Sequence, residues 1–203
     1  MSPRITPTGL ARVVLRPWAW IPLFVGLALF AAWLLFPTDR TPKGAYYRVV
    51  VAVNRGQPEA LFPYVETEAQ HAAFTIGDYA RKSKARVEQA YPEPDRSKEL
   101  ARINALTVPE PGPGIFAMYA AREGWVNRLR RDLSGVQSVQ VDQDRATVET
   151  ARGTRYPFRR RENGIWGLTL FTARLVEDSE KAARDFAQID AAAHDYEVAA
   201  SAK

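Results

Sequence analysis

GVQSVQVDQDRATVETARGTRYPFRRRENGIWGLTLFT, residues 135–172, is the stretch in which the hydrophobic period becomes two. Val139 and Val141 alternate with polar residues up to Asp142-Gln143-Asp144, and Ala146, Val148 and Thr150 alternate on the way out, which predicts a β-hairpin. A second hairpin follows, with Arg155–Arg161 and Ile165–Thr172 as strands and Glu162-Asn163-Gly164 as the turn. Asn-Gly there supplies the positive φ angles that a tight turn needs.

Downstream, Ala182, Phe186, Ile189, Ala193 and Tyr196 recur at alternating spacings of four and three, so a helix is expected over about Ser179–Ala199. Its apolar stripe needs a covering surface, either its own sheet or another chain.

Upstream, the chain reads as helical. AYYRVVVAVNR at 45–55 puts Tyr46, Val49, Val50 and Val53 on one helical face, although the valine run also suits a strand. Asn54-Arg55-Gly56 as a C-terminal cap and Pro58-Glu59-Ala60 as a new start favour the helix. Short and long helices are expected over Pro58–Val65 and Thr67–Tyr91, the second weakened at Gly77. Ser97–Leu106 follows with Ser97 as N-cap, and then Ile115–Leu133, interrupted at Gly124. VPEPGPG at 108–114 excludes regular structure.

At the N-terminus Trp18–Phe36, WAWIPLFVGLALFAAWLLF, carries no charge. As a helix it would measure about 28 Å, close to the roughly 30 Å hydrocarbon core of a bilayer. Trp18, Trp20 and Trp33 suit interfacial anchoring, with Arg16-Pro17 at the entry. The residues that follow offer no small-x-small cleavage site, so an uncleaved single-pass signal anchor is expected rather than a signal peptide. The acid-free tail is the more natural cytoplasmic end, which in a bacterium places the anchor in the inner membrane and the domain in the periplasm. The expected organisation is a tail at 1–17, a transmembrane helix at 18–36, a linker at 37–44, an α+β domain at 45–176 and a C-terminal amphipathic helix and tail at 177–203.

The formal net charge is +5, but Arg4, Arg12 and Arg16 precede the apolar run without an acid, leaving 25 basic against 23 acidic residues beyond it. A surplus of two is too small to argue for nucleic acid as a partner. The absence of cysteine excludes disulfides, thiolate metal sites and a cysteine nucleophile.

AYYRVVVAVNRGQPEALFPYV at 45–65 together with VDQDRATVETARGTRYPFRRRENGIWGL at 141–168 resembles the nuclear transport factor 2-like superfamily. The resemblance implies a cone in which helices pack in the concave side of a curved antiparallel sheet, with Trp166 against the helices. The expected fold is thus α+β, a transmembrane helix followed by helices on such a sheet, with the C-terminal helix and the all-helical 57–133 as departures. The superfamily contains dehydratases, isomerases, ligand binders and membrane-anchored scaffolds of bacterial secretion machines, so fold leaves function open. In a ligand-binding or enzymatic cone, Tyr46, Tyr156, Phe158 and Trp166 would line the pocket.

An enzyme of that kind would use a carboxylate or histidine as general base. His71 has Glu68 one turn before it and His194 stands beside Asp190 and Asp195, spacings that also suit solvent-exposed or capping histidines. No His-Glu-x-x-His, G-x-x-x-x-G-K or G-x-G-x-x-G pattern occurs, so no cofactor or metal is expected. Arg155, Arg159 and Arg161 share one strand face, with Arg152 and Arg160 nearby. Such a stripe either guards a sheet edge by charge or meets acidic headgroups or an acidic partner. The leading expectation is a non-enzymatic, membrane-anchored interaction or scaffold domain; a tethered ligand-binding or isomerase/dehydratase-like cone is the alternative.

Overall fold

The computed structural model describes residues 21–35 and 38–202. The chain divides into two compact units, 1–36 and 37–203. In the first, helix α1 (Ile21–Leu35) has 15 residues and no charge, with Phe24, Leu27, Leu29 and Phe30 exposed. At 1.5 Å per residue it is about 22 Å long, and among the described residues no helix is long and apolar enough to cross a membrane. Trp18, Trp20 and Phe36, the ends of the expected span, lie outside the described residues, as does the ring of Trp33.

The second unit is α+β. Helix α2 (Pro42–Arg55) is followed by a 3-10 segment (Pro58–Tyr64), then α3 (Thr67–Ala90), α4 (Asp95–Thr107), α5 (Pro113–Arg122) and α6 (Trp125–Asp132). Strands β1 (Val136–Asp142), β2 (Arg145–Thr150), β3 (Arg155–Arg160) and β4 (Trp166–Leu168) form an antiparallel sheet in that order, and α7 (Thr172–Ser201) closes the chain. Valines 49–51 turn in a helix because both ends are capped. The Thr41 side chain accepts from the Gly44 N–H at 3.1 Å, and Gly56 takes φ 70° and bonds back to the Val53 carbonyl. Helix α2 therefore starts inside the stretch expected to be linker, and the Asp39 carbonyl accepts from Trp166 N–H at 3.1 Å.

Several features differ from the sequence reading for identifiable reasons. Helix α5 starts at Pro113, inside the 108–114 stretch expected to lack regular structure, because proline is tolerated in a first helical turn and Gly112 takes φ 76° ahead of it. Gly77 does not break α3: it lets Pro111 and Ile115 approach to within about 3.3 Å of where a Cβ would stand. Ser97 lies inside α4, its hydroxyl donating to Glu93 at 2.7 Å instead of capping. Strand β4 ends at Leu168 rather than Thr172, because the next cross-strand partner is Pro157. Thr169 donates to the Pro157 carbonyl at 3.0 Å, and proline has no N–H with which to return the bond. The ladder stops, the chain turns, and α7 begins seven residues early, running to 30 residues.

The main core lies where α2, α5, α6 and the 3-10 segment meet the sheet. Ala146 and Val148 of β2, Tyr156 and Phe158 of β3 and Leu168 of β4 face Tyr46, Val49, Phe116 and Trp125. Trp125 stacks on Phe171 with ring centroids 4.5 Å apart, which anchors the turn into α7. A second cluster joins Val87 of α3, Tyr91 just past its end and Ile103 of α4 to Ile189 and Ala193 of α7. Residues Ile189 and Ala193 of the α7 stripe are thus covered by α3 and α4 rather than by the sheet.

Candidate functional site

The four aromatic residues expected to line a cone pocket are interior side chains. Tyr46, Tyr156, Phe158 and Trp166 are all buried. The rings of Tyr46 and Tyr156 lie 5.4 Å apart, and the Tyr46 hydroxyl donates to the Ser134 carbonyl at 2.7 Å. Trp166 donates its indole N–H to the Arg40 carbonyl at 3.1 Å, pinning β4 to the approach to α2. The Tyr156 hydroxyl is buried without a protein partner, and burial pushes its pKa up to about 12. These groups fill the space between sheet and helices, with Phe116 and Trp125 completing it.

The arginine stripe divides. Arg155 is well exposed, its nearest carboxylate being Glu149 at 3.9 Å, and Arg160 is exposed at the end of β3. Arg159 turns to Asp144 at 3.1 Å, Glu66 at 3.3 Å and Glu68 at 3.5 Å, and these bonds raise its pKa. Arg161 pairs with no carboxylate among the described residues: it donates to the Thr67 hydroxyl (3.2 Å), the Pro63 carbonyl (2.8 Å) and the Gln70 side-chain oxygen (2.8 Å). Desolvation lowers its pKa accordingly. Arg159, Arg160 and Arg161, together with Glu66, His71 and Glu162, line a polar groove of about 500 Å³ at the start of α3. His71 is exposed on its rim, and His194 is exposed on α7, far along the chain from this groove.

The residue that ties the groove together is Glu66, which sequence reasoning missed. Its carboxylate is almost fully buried and accepts from the Thr172 hydroxyl at 2.7 Å as well as pairing with Arg159. Its backbone N–H donates to the Leu168 carbonyl at 3.1 Å, and Val65 forms a parallel bridge to Leu168. A carboxylate held by a threonine and a half-exposed guanidinium acts as a brace between α3, the sheet and α7. The only local sign was a glutamate just ahead of a helix start, which is also what an ordinary acidic first turn looks like.

Among the described residues no group of three or more histidine, aspartate and glutamate side chains is placed to hold a metal ion. The chain matches no family model, no curated protein and no solved structure.

Proposed function

We propose that the chain is a membrane-anchored, non-enzymatic interaction domain, a divergent member of the nuclear transport factor 2-like superfamily. The uncharged run Trp18–Phe36 spans the bacterial inner membrane, with the domain on the periplasmic side. The observation that carries the reading is the filled interior: Tyr46, Tyr156, Phe158 and Trp166 occupy the space between sheet and helices where a ligand-binding cone keeps its chamber. What such a domain offers is surface. Arg155 and Arg160, exposed while Arg159 and Arg161 brace the fold, are the side chains through which it meets an acidic partner.

The native chain has no cysteine, which permits a direct test. Arg160→Cys, labelled with a photoactivatable maleimide in intact membranes, is expected to yield a discrete crosslinked species, either with a second copy or with another protein. A chain that gives no crosslinked band from this position, and none from a matching Arg155→Cys, would defeat the proposal.

A further inference from the structure

Helix α3 packs against each of α4, α5 and α7, and between these neighbours it leaves an open cleft of about 770 Å³. That size lies within the range of small-molecule sites, roughly 300–1,000 Å³. Its floor is apolar: Ile76, Ala80, Ile103 and Ile189 are buried there, with Leu106 and Met118 partly so. Two ion pairs cross the cleft, Arg102–Asp185 from α4 to α7 and Arg122–Asp178 from α5 to α7, each at 3.7 Å.

The charges are layered. Asp178 is only 13% exposed and is shared by Arg122 and Arg174 (3.3 Å), while Asp185, 31% exposed, is shared by Arg102 and Lys181 (3.1 Å). The cations stand further out, with side-chain exposures of 50% for Arg102, 49% for Arg122, 47% for Arg174 and 62% for Lys181. Glu177 is the one lining carboxylate as exposed as they are. An arriving molecule therefore meets four cations and the single carboxylate of Glu177 at the mouth, with an apolar floor beneath them. Arg122 and Arg174 are each about half exposed, and a guanidinium carries five N–H donors, so both can grip an incoming anion while Asp178 stays paired.

From this arrangement we infer that the cleft binds a single-chain anionic amphiphile, its tail on the Ile76–Ile103–Ile189 floor and its carboxylate or phosphate head on Arg122 and Arg174. The site is separate from the arginine groove and does not depend on the interaction reading above. A free fatty acid and a lysophospholipid share the required chemistry.

The test uses the full-length chain in phosphatidylcholine nanodiscs with photoactivatable palmitate, photoactivatable lysophosphatidylglycerol and a neutral monoacylglycerol counterpart, crosslinks being mapped by mass spectrometry. Labelling is expected on cleft positions of α3, α4 and α7 with one or both anionic probes, and the successful probe identifies the source. Ala105→Trp places an indole at the mouth from an exposed lining position, where no core contact is disturbed. It should cut that labelling by about tenfold, the equivalent of about 1.4 kcal/mol. The neutral probe, which needs no variant, should label the cleft several-fold less. Labelling confined to α1, labelling unchanged by Ala105→Trp, or equal labelling by the neutral probe would overturn the assignment.

Discussion

Tyr156 and Gly167 show how single residues set the tolerance of this fold. The Tyr156 hydroxyl is buried with no protein partner, so Tyr156→Phe removes a desolvated group and leaves the packing against Tyr46 intact. Its stability in urea should equal or exceed that of the native chain by up to about 1 kcal/mol. The same hydroxyl confers a pH dependence. Burial raises the pKa of Tyr156, and likewise that of Tyr119, to about 12, whereas an unfolded tyrosine ionises near 10. Below the unfolded value both states are protonated and the contribution is fully present. As pH rises from there through the folded value, the unfolded state loses protons first and stability falls. Tyr156→Phe should make that alkaline fall shallower, as read from urea midpoints at about pH 9 and pH 11. Gly167 is the opposite case. A Cβ there would stand 2.7 Å from the Glu66 Cα and 2.8 Å from the Val65 carbonyl oxygen, both backbone atoms with little room to move. Gly167→Ala should cost about 1–3 kcal/mol, and an unchanged urea midpoint would mean that the Val65–Leu168 bridge is loose in solution.

The elements legible in the sequence were those governed by local chemistry. Both hairpins, the Asn163-Gly164 turn, the Gly56 cap and the break at Gly124 were read from residues that are neighbours in the chain, and Gly164 and Gly124 do take positive φ. What escaped depended on register. The end of β4 follows from Pro157 facing Thr169, a pairing known only once the strands are aligned. The partner of α7 escaped for the same reason, since α3 lies about a hundred residues earlier in the chain. Arg86 of α3 holds the far end of α7 through Asp190 at 2.7 Å and Glu197 at 3.0 Å, and this contact keeps the Glu197 carboxyl below its usual range. The contribution is present above the unfolded pKa and is lost as pH falls through the folded one. Arg86→Ala should leave the main core intact and speed amide hydrogen exchange over residues 190–201, where fraying is cheapest. Unchanged exchange there would show that the Tyr91–Tyr196 contact, with centroids 4.9 Å apart, and the Tyr196–Asp95 hydrogen bond at 2.9 Å hold this end without Arg86.

At the scale of the whole molecule, the candidate surfaces were legible only in part. The arginines at 155–161 were visible as a run, but their division into braces and exposed side chains was not, because Glu66 and Gln70 reach Arg159 and Arg161 from another element. If the exposed pair meets an acidic surface, Arg155→Ser with Arg160→Ser should weaken binding to anionic vesicles by on the order of tenfold at low salt. Binding unchanged by the substitutions and by salt would assign these side chains to solubility alone. The account as a whole rests on a tether. Residues 18–36 are uncharged, and the folded unit follows within a few residues of them. The most direct measurement is extraction of bacterial membranes carrying the full-length chain with alkaline carbonate. The chain should stay in the membrane pellet, and a version lacking residues 18–36 should move to the soluble fraction; release of the full-length chain by carbonate would contradict the account.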